Sequence, residues 1–182
     1  MREGTAMSKW TIDPDHSVVA FSIGHLMVAY VHGQLNKVAG TVHLDPADMT
    51  TLSVELDIEV SSIITGVPKR DDHLKSGDFF DVKTFPKITF GSTGTERTGF
   101  TSCKVSGELS IHGVTLPVEL DADISGPVKS PFGETSIGIT AYTMLNREDF
   151  GMTWNEPMEK KGFMVGKDVE ISVNLEADLA EE

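Results

Sequence analysis

The sequence contains little cysteine and no long apolar run. These two absences exclude several kinds of cross-link, metal site and membrane attachment. Its one cysteine, Cys103, excludes an intrachain disulfide and a cysteine-based zinc site. No stretch approaches the roughly 20 apolar residues of a membrane-spanning helix, so we expect no stable membrane insertion. The N-terminal residues lack the apolar core of a secretory signal, which predicts a cytoplasmic protein.

Basic residues are also scarce. The chain has 28 acidic and 15 basic residues, which gives a formal net charge of −13. Binding to phosphate backbones requires clustered lysine and arginine, and the sequence has no basic run. We therefore expect no nucleic acid partner.

Motifs of catalysis and metal binding are missing as well. There is no Gly-x-Ser-x-Gly elbow, and the six histidines do not occur as i,i+2 or i,i+4 pairs. The acidic residues lie mainly at the polar positions of alternating stretches, where solvated charge is the ordinary interpretation. The residues alone therefore predict no catalytic group, no metal site and no obligatory cofactor.

What the sequence does have is strict alternation of apolar and polar residues, in stretches 52–61, 114–125 and 168–177. This period of two is typical of antiparallel strands with one buried and one exposed face. Weaker alternation elsewhere raises the predicted number of strands to about eight. The sequence contains no linker and no internal repeat. Pro117 lies within one of the best stretches and predicts an outward edge position or a bulge.

Consecutive antiparallel strands protect their edges by closing or stacking, which predicts an all-β barrel. The inward positions are mostly Val, Leu and Ile, and the strands are long. A tall tube with this lining suits a long, thin, apolar guest. The alternative at this point is a barrel or sandwich whose interior is packed solid.

One block interrupts the alternation. Residues 70–81 combine dense charge, one histidine and two adjacent phenylalanines. A capped surface helix between two strands explains the block, and so does a polar knot of Arg70, Asp71 and His73 with Phe79 and Phe80 plugging an apolar opening. A later methionine-rich segment around Trp154 is interpreted as a lid. The polar run 146–150 before it is interpreted as a second polar knot, in which Arg147 is expected to pair with an acid of the first.

Several separated motifs occur in order between Trp10 and Asp178. They are Trp10-Thr11-Ile12-Asp13, Asp15-His16-Ser17, Phe21 with His25, Val31-His32-Gly33, Gly40-Thr41-Val42, Arg70-Asp71-Asp72-His73-Leu74-Lys75-Ser76, Asp78-Phe79-Phe80, Phe85-Pro86-Lys87-Ile88-Thr89-Phe90, Gly107 to Val114 and Asn146-Arg147 with Asp149-Phe150-Gly151. Together they resemble the YceI-like, polyisoprenoid-binding family. The resemblance implies an extended eight-stranded antiparallel lipocalin-like barrel around a long isoprenoid tail. It also implies a homodimer. We place the domain at residues 10–179, with a disordered extension at 1–9 and a short helical insertion around 70–82.

The predicted function is binding, sequestering or carrying a long-chain polyisoprenoid, either a prenyl quinone or a prenyl phosphate or alcohol. Two alternatives stay open: an enzyme that uses the Arg70 and His73 cluster, and a stress-linked interaction protein without a ligand. The polar cluster predicted to contact a head group is Asp13, His16, Arg70, Asp71 and His73. The apolar tube is predicted to be lined by Val19, Phe21, Ile23, Val42, Val54, Leu56, Ile58, Ile88, Phe90, Leu109, Ile139 and Phe150.

Overall fold

The computed structural model describes residues 7–158 and 162–180, and these residues form eleven strands and one α-helix. The helix, α1, spans Pro68–Lys75. The strands are β1 Ser8–Ile12, β2 Val18–His25, β3 Ala29–Leu35, β4 Val38–Asp45, β5 Asp48–Glu59, β6 Ile63–Ile64, β7 Lys87–Arg97, β8 Ser102–Ile111, β9 Val114–Lys129, β10 Thr135–Asn146 and β11 Val165–Leu179.

Eight of these strands form a closed antiparallel ring in the order β1, β4, β5, β7, β8, β9, β10 and β11. The ring closes because β1 pairs on one side with β4 and on the other with β11, where Trp10 lies opposite both Val42 and Leu179. Each strand of the ring therefore has a neighbour on both sides. The predicted eight-stranded antiparallel barrel is confirmed.

The other three strands, β2, β3 and β6, extend the ring strands β1, β4 and β5, respectively, across short breaks. β2 follows β1 beyond a 3₁₀ turn at Pro14–His16, and β6 follows β5 beyond a similar turn at Val60–Ser62. β2 pairs with β11 and β3, and β3 pairs with β6. Among the described residues β6 pairs with β3 alone, so the wall opens between β6 and β7.

Helix α1 and the turns that follow it fill the chain between β6 and β7. The helix begins at Pro68, a residue suited to a first helical position, and ends at Lys75, so it is shorter than the insertion predicted at 70–82. It ends there because Ser76 adopts extended angles and its hydroxyl donates to the His73 carbonyl at 2.7 Å. No helix in the described part of the chain is long and apolar enough to cross a membrane.

The two ends of the barrel differ. At the end with the 45–48, 98–101 and 130–134 turns the interior is packed solid, with Trp10, Leu44 and Ile137 each at most 2% exposed. The opposite end carries α1 and the connection from β10 to β11. Strand β1 already begins at Ser8, so two residues assigned to a disordered extension belong to the barrel; residues 1–6 lie outside the described residues.

Pro117 lies in a part of β9 that is paired with only one neighbouring strand. The pairing of β9 with β10 reaches Asp121 and stops there, whereas β9 remains paired with β8 up to Val114. The segment 114–120 therefore has a partner on one side only among the described residues. A proline without an N–H donor is tolerated at such a position, as predicted.

Candidate functional site

An apolar cavity of about 310 Å³ lies inside the barrel. Eleven of the twelve residues predicted to line a tube are in its wall. Val42 is the exception, because it is fully buried opposite Trp10 in the packed end and does not reach the cavity. The volume lies at the lower end of the range for small-molecule pockets.

The cavity extends along the strands. Its wall follows β5 from Leu52 to Ile58, six residue steps or about 20 Å at the usual rise of a strand. A wall of this length suits a guest with an extended shape.

Strand register stacks the inward side chains into layers. Leu56 lies opposite Phe90 across β5 and β7, and Phe90 lies opposite Leu109 across β7 and β8. On the other side Ala141 lies opposite Val173. The alternation in the sequence therefore directs these aliphatic side chains inward and the intervening polar residues outward.

Three aromatic side chains meet at the mouth of the cavity. The His73 ring contacts Phe79 at 5.1 Å and Trp154 at 4.8 Å between centroids, both edge to face. His73 Nε2 lies 2.8 Å from an Asp78 carboxylate oxygen. Asn155 holds the Trp154 segment to β11 through two hydrogen bonds with the backbone of Val165. The insertion and the β10–β11 connection thus meet across the mouth, where the sequence predicted a plug and a lid.

Arg70 and Asp71 form a knot around one threonine. Arg70 Nε donates to the Thr65 hydroxyl at 2.7 Å and Nη2 donates to the Thr65 carbonyl at 2.9 Å. Asp71 accepts from the Thr65 amide at 2.8 Å and from its hydroxyl at 2.5 Å. The knot fastens the start of α1 to the end of β6. Arg70 and His73 line the mouth, whereas Asp71 does not.

Asp13 and His16 lie elsewhere, at the break between β1 and β2, and neither lines the cavity. Asp13 caps the 3₁₀ turn by accepting from the Asp15 amide at 2.8 Å, and its other oxygen lies 2.6 Å from His16 Nδ1. Glu176 of β11 is close to both, with the ligand atoms of the three residues within 4.8 Å of one another. The structure therefore separates the predicted polar cluster into two groups.

The Asp13–His16 pair predicts a pH dependence. The hydrogen bond to Asp13 raises the pKa of His16 above 6.5, and the same bond lowers the pKa of Asp13 below 3.8. Stability from His16 is present below pH 6.5 and is lost as pH rises through its raised pKa. Stability from Asp13 is present above pH 3.8 and is lost as pH falls through its lowered pKa, so the pair stabilises most between these values. We expect Asp13→Asn to lower the pKa of His16 in an NMR titration; an unchanged pKa would contradict the pairing.

Arg147 is a feature that sequence reasoning missed. It was expected to pair with an acid, but it is 4% exposed and donates to two backbone carbonyls, from Nε to Gly166 at 2.7 Å and from Nη1 to Met152 at 2.5 Å. Burial lowers the pKa of its guanidinium. The only local signal was its place in a short turn after a long strand, which does not indicate burial.

The family model of the YceI-like domain matches residues 10–177. The chain belongs to the YceI-like family. A UPF0312 protein of Staphylococcus aureus strain N315 is 38% identical over 176 residues, which are 96% of this chain and all of the relative. The family resemblance seen in the sequence is confirmed.

Solved structures share the barrel. The Campylobacter jejuni YceI protein superposes with a TM-score of 0.75 at 28% identity, covering 87% of this chain and 90% of that one. A polyisoprenoid binding domain from Saccharophagus degradans, implicated in plant cell wall breakdown, gives a TM-score of 0.72 at 13% identity, covering 96% and 100%. At this identity the second likeness concerns the fold alone.

Proposed function

We propose that this protein binds a long-chain polyisoprenoid lipid inside its barrel and carries or sequesters it. The elongated apolar cavity, open toward α1 and closed at the packed end, is the observation that carries the proposal. Its wall is aliphatic and aromatic along the whole length, with polar side chains concentrated at the mouth. A tail would lie in the tube with its polar end at α1.

The energetics favour a guest of this kind. Each methylene removed from water contributes roughly 0.8 kcal/mol, so a long tail binds tightly with few polar contacts. The length of the wall along β5 suits an extended chain. Membership in the YceI-like family and the name of the Saccharophagus degradans domain support an isoprenoid as that chain.

The contacts at the mouth favour binding over catalysis. Arg70 is engaged with Thr65, and His73 is engaged with Asp78 and two aromatic rings. These contacts order the insertion and leave the two side chains in structural roles. The guests that we propose are a prenyl quinone, a prenyl phosphate and a prenyl alcohol. The homodimer and the cytoplasmic location stay predictions.

Native mass spectrometry of the purified protein tests the proposal, followed by organic extraction and identification of the lipid. We expect a stoichiometric adduct that is released on denaturation and extracts as a prenyl compound. The same extraction from cells without the protein is the control. A protein that is empty and also refuses added long-chain isoprenoids would overturn the proposal.

A further inference from the structure

The charges in the cavity wall are all of one kind. The chain has 28 acidic residues, yet the lining among the described residues contains no aspartate and no glutamate. It does contain two guanidinium groups, those of Arg70 and Arg147, beside the imidazoles of His25 and His73. In a protein with a net charge of −13 this distribution gives the cavity an environment that favours a negatively charged guest.

Arg147 is the most deeply buried of these groups. It begins the 3₁₀ turn Arg147–Phe150 that follows β10, and its hydrogen bonds to Met152 and Gly166 place the guanidinium beside the mouth. Two of its nitrogens are therefore held by backbone carbonyls. The third, Nη2, is buried and has no hydrogen-bond partner among the residues that the structure describes.

The charge of Arg147 also has no acidic partner within the described ranges. The neighbouring carboxylate, Glu148, lies 2.9 Å from Lys167 instead. A guanidinium remains protonated in proteins, so Arg147 is a buried cation with an unused donor. Buried donors without partners are rare and costly, especially when charged, and guanidinium groups match carboxylate and phosphate oxygens well.

We propose that Arg147 anchors the lipid by its head group, with Nη2 donating to an anionic oxygen such as that of a prenyl phosphate. This inference rests on the proposed function, because the tail must lie in the tube for the head to reach Arg147. Arg70 is the less suitable anchor, since it is half-exposed and donates twice to Thr65.

The test compares three ligands with the same 20-carbon geranylgeranyl chain: the phosphate, the alcohol and the parent hydrocarbon. We expect the full-length protein to bind the phosphate about 10- to 100-fold more tightly than the hydrocarbon, as a hydrogen bond to a buried charge provides. In Arg147→Met this preference disappears, while the affinity for the hydrocarbon changes less than about twofold.

Lys167→Met is the matched control, because it removes the same charge from a half-exposed residue outside the cavity wall. It keeps the preference for the phosphate. Arg147→Gln serves if the methionine variant does not fold, since it retains amide donors for the Met152 and Gly166 carbonyls but has no charge; it too is expected to lose the preference.

Three outcomes separate the two proposals. An unchanged preference in folded Arg147 variants overturns the anchor and leaves lipid binding intact. A wild-type protein that binds all three ligands equally does the same. A wild-type protein that binds none of them overturns the proposed function itself.

Discussion

Replacing Ala141 with tryptophan is expected to abolish lipid binding while the barrel stays folded. Ala141 faces inward on β10, opposite Val173 and Ala122, and lines the cavity. An indole at this point fills space inside the tube and obstructs it. Because the ring enters existing space, the strain of overpacking stays small. Binding of a long-chain isoprenoid should weaken at least ~100-fold, more than 2.7 kcal/mol.

Thr140→Trp is the control for this prediction. Thr140 is the preceding residue on β10 and pairs with Asn174 and Asp123, so its side chain points away from the cavity. Its substitution is expected to leave the dissociation constant within about twofold. Fluorescence titration and the amount of co-purified lipid measure both variants. Normal lipid uptake by a folded Ala141→Trp protein would place the guest outside the tube.

Trp10→Ala is expected to lower the free energy of unfolding by about 3 to 5 kcal/mol. Trp10 is 2% exposed, packs in the closed end and lies where β1 joins β4 to β11. Its indole N–H also points to the Leu44 carbonyl at 3.4 Å. The substitution therefore removes a large buried side chain at the closure of the ring.

Denaturant unfolding of the lipid-free protein measures this loss, since a bound lipid would stabilise the folded state by mass action. Thr11→Ala is the matched control, because Thr11 is exposed on the same strand and its substitution should cost well under 1 kcal/mol. Equal losses in the two variants would show that closure does not depend on the tryptophan.

Much of the fold follows from local alternation. The stretches 52–61, 114–125 and 168–177 all lie largely in ring strands, and many of their inward residues line the cavity. The breaks that divide the first three long strands did not follow from it. β6 has two residues, too few to show a period, and it forms because β3 lies beside it.

The part of the site that is formed by alternating strand residues was predictable from the sequence. The part that depends on contacts between residues distant in the sequence was not. Inward parity placed Val54, Leu56 and Ile58 in the wall, but it also included Val42, because alternation does not indicate how far along the axis a cavity extends. The burial of Arg147 is set by Gly166 and Met152 folding over it. No pattern around residue 147 carries that information.

The closure of the ring has a consequence for biosynthesis. Trp10 and Leu179 are partners, so the first and last strands must meet before the barrel is complete. Pairings between residues so distant in sequence slow folding, and proteins dominated by them fold in milliseconds to seconds. On the ribosome the growing chain presents the open edges of β1 and β10 until β11 has emerged. During that interval its aliphatic inner face and its unpaired strand edges are open to other chains, which is the arrangement that promotes aggregation.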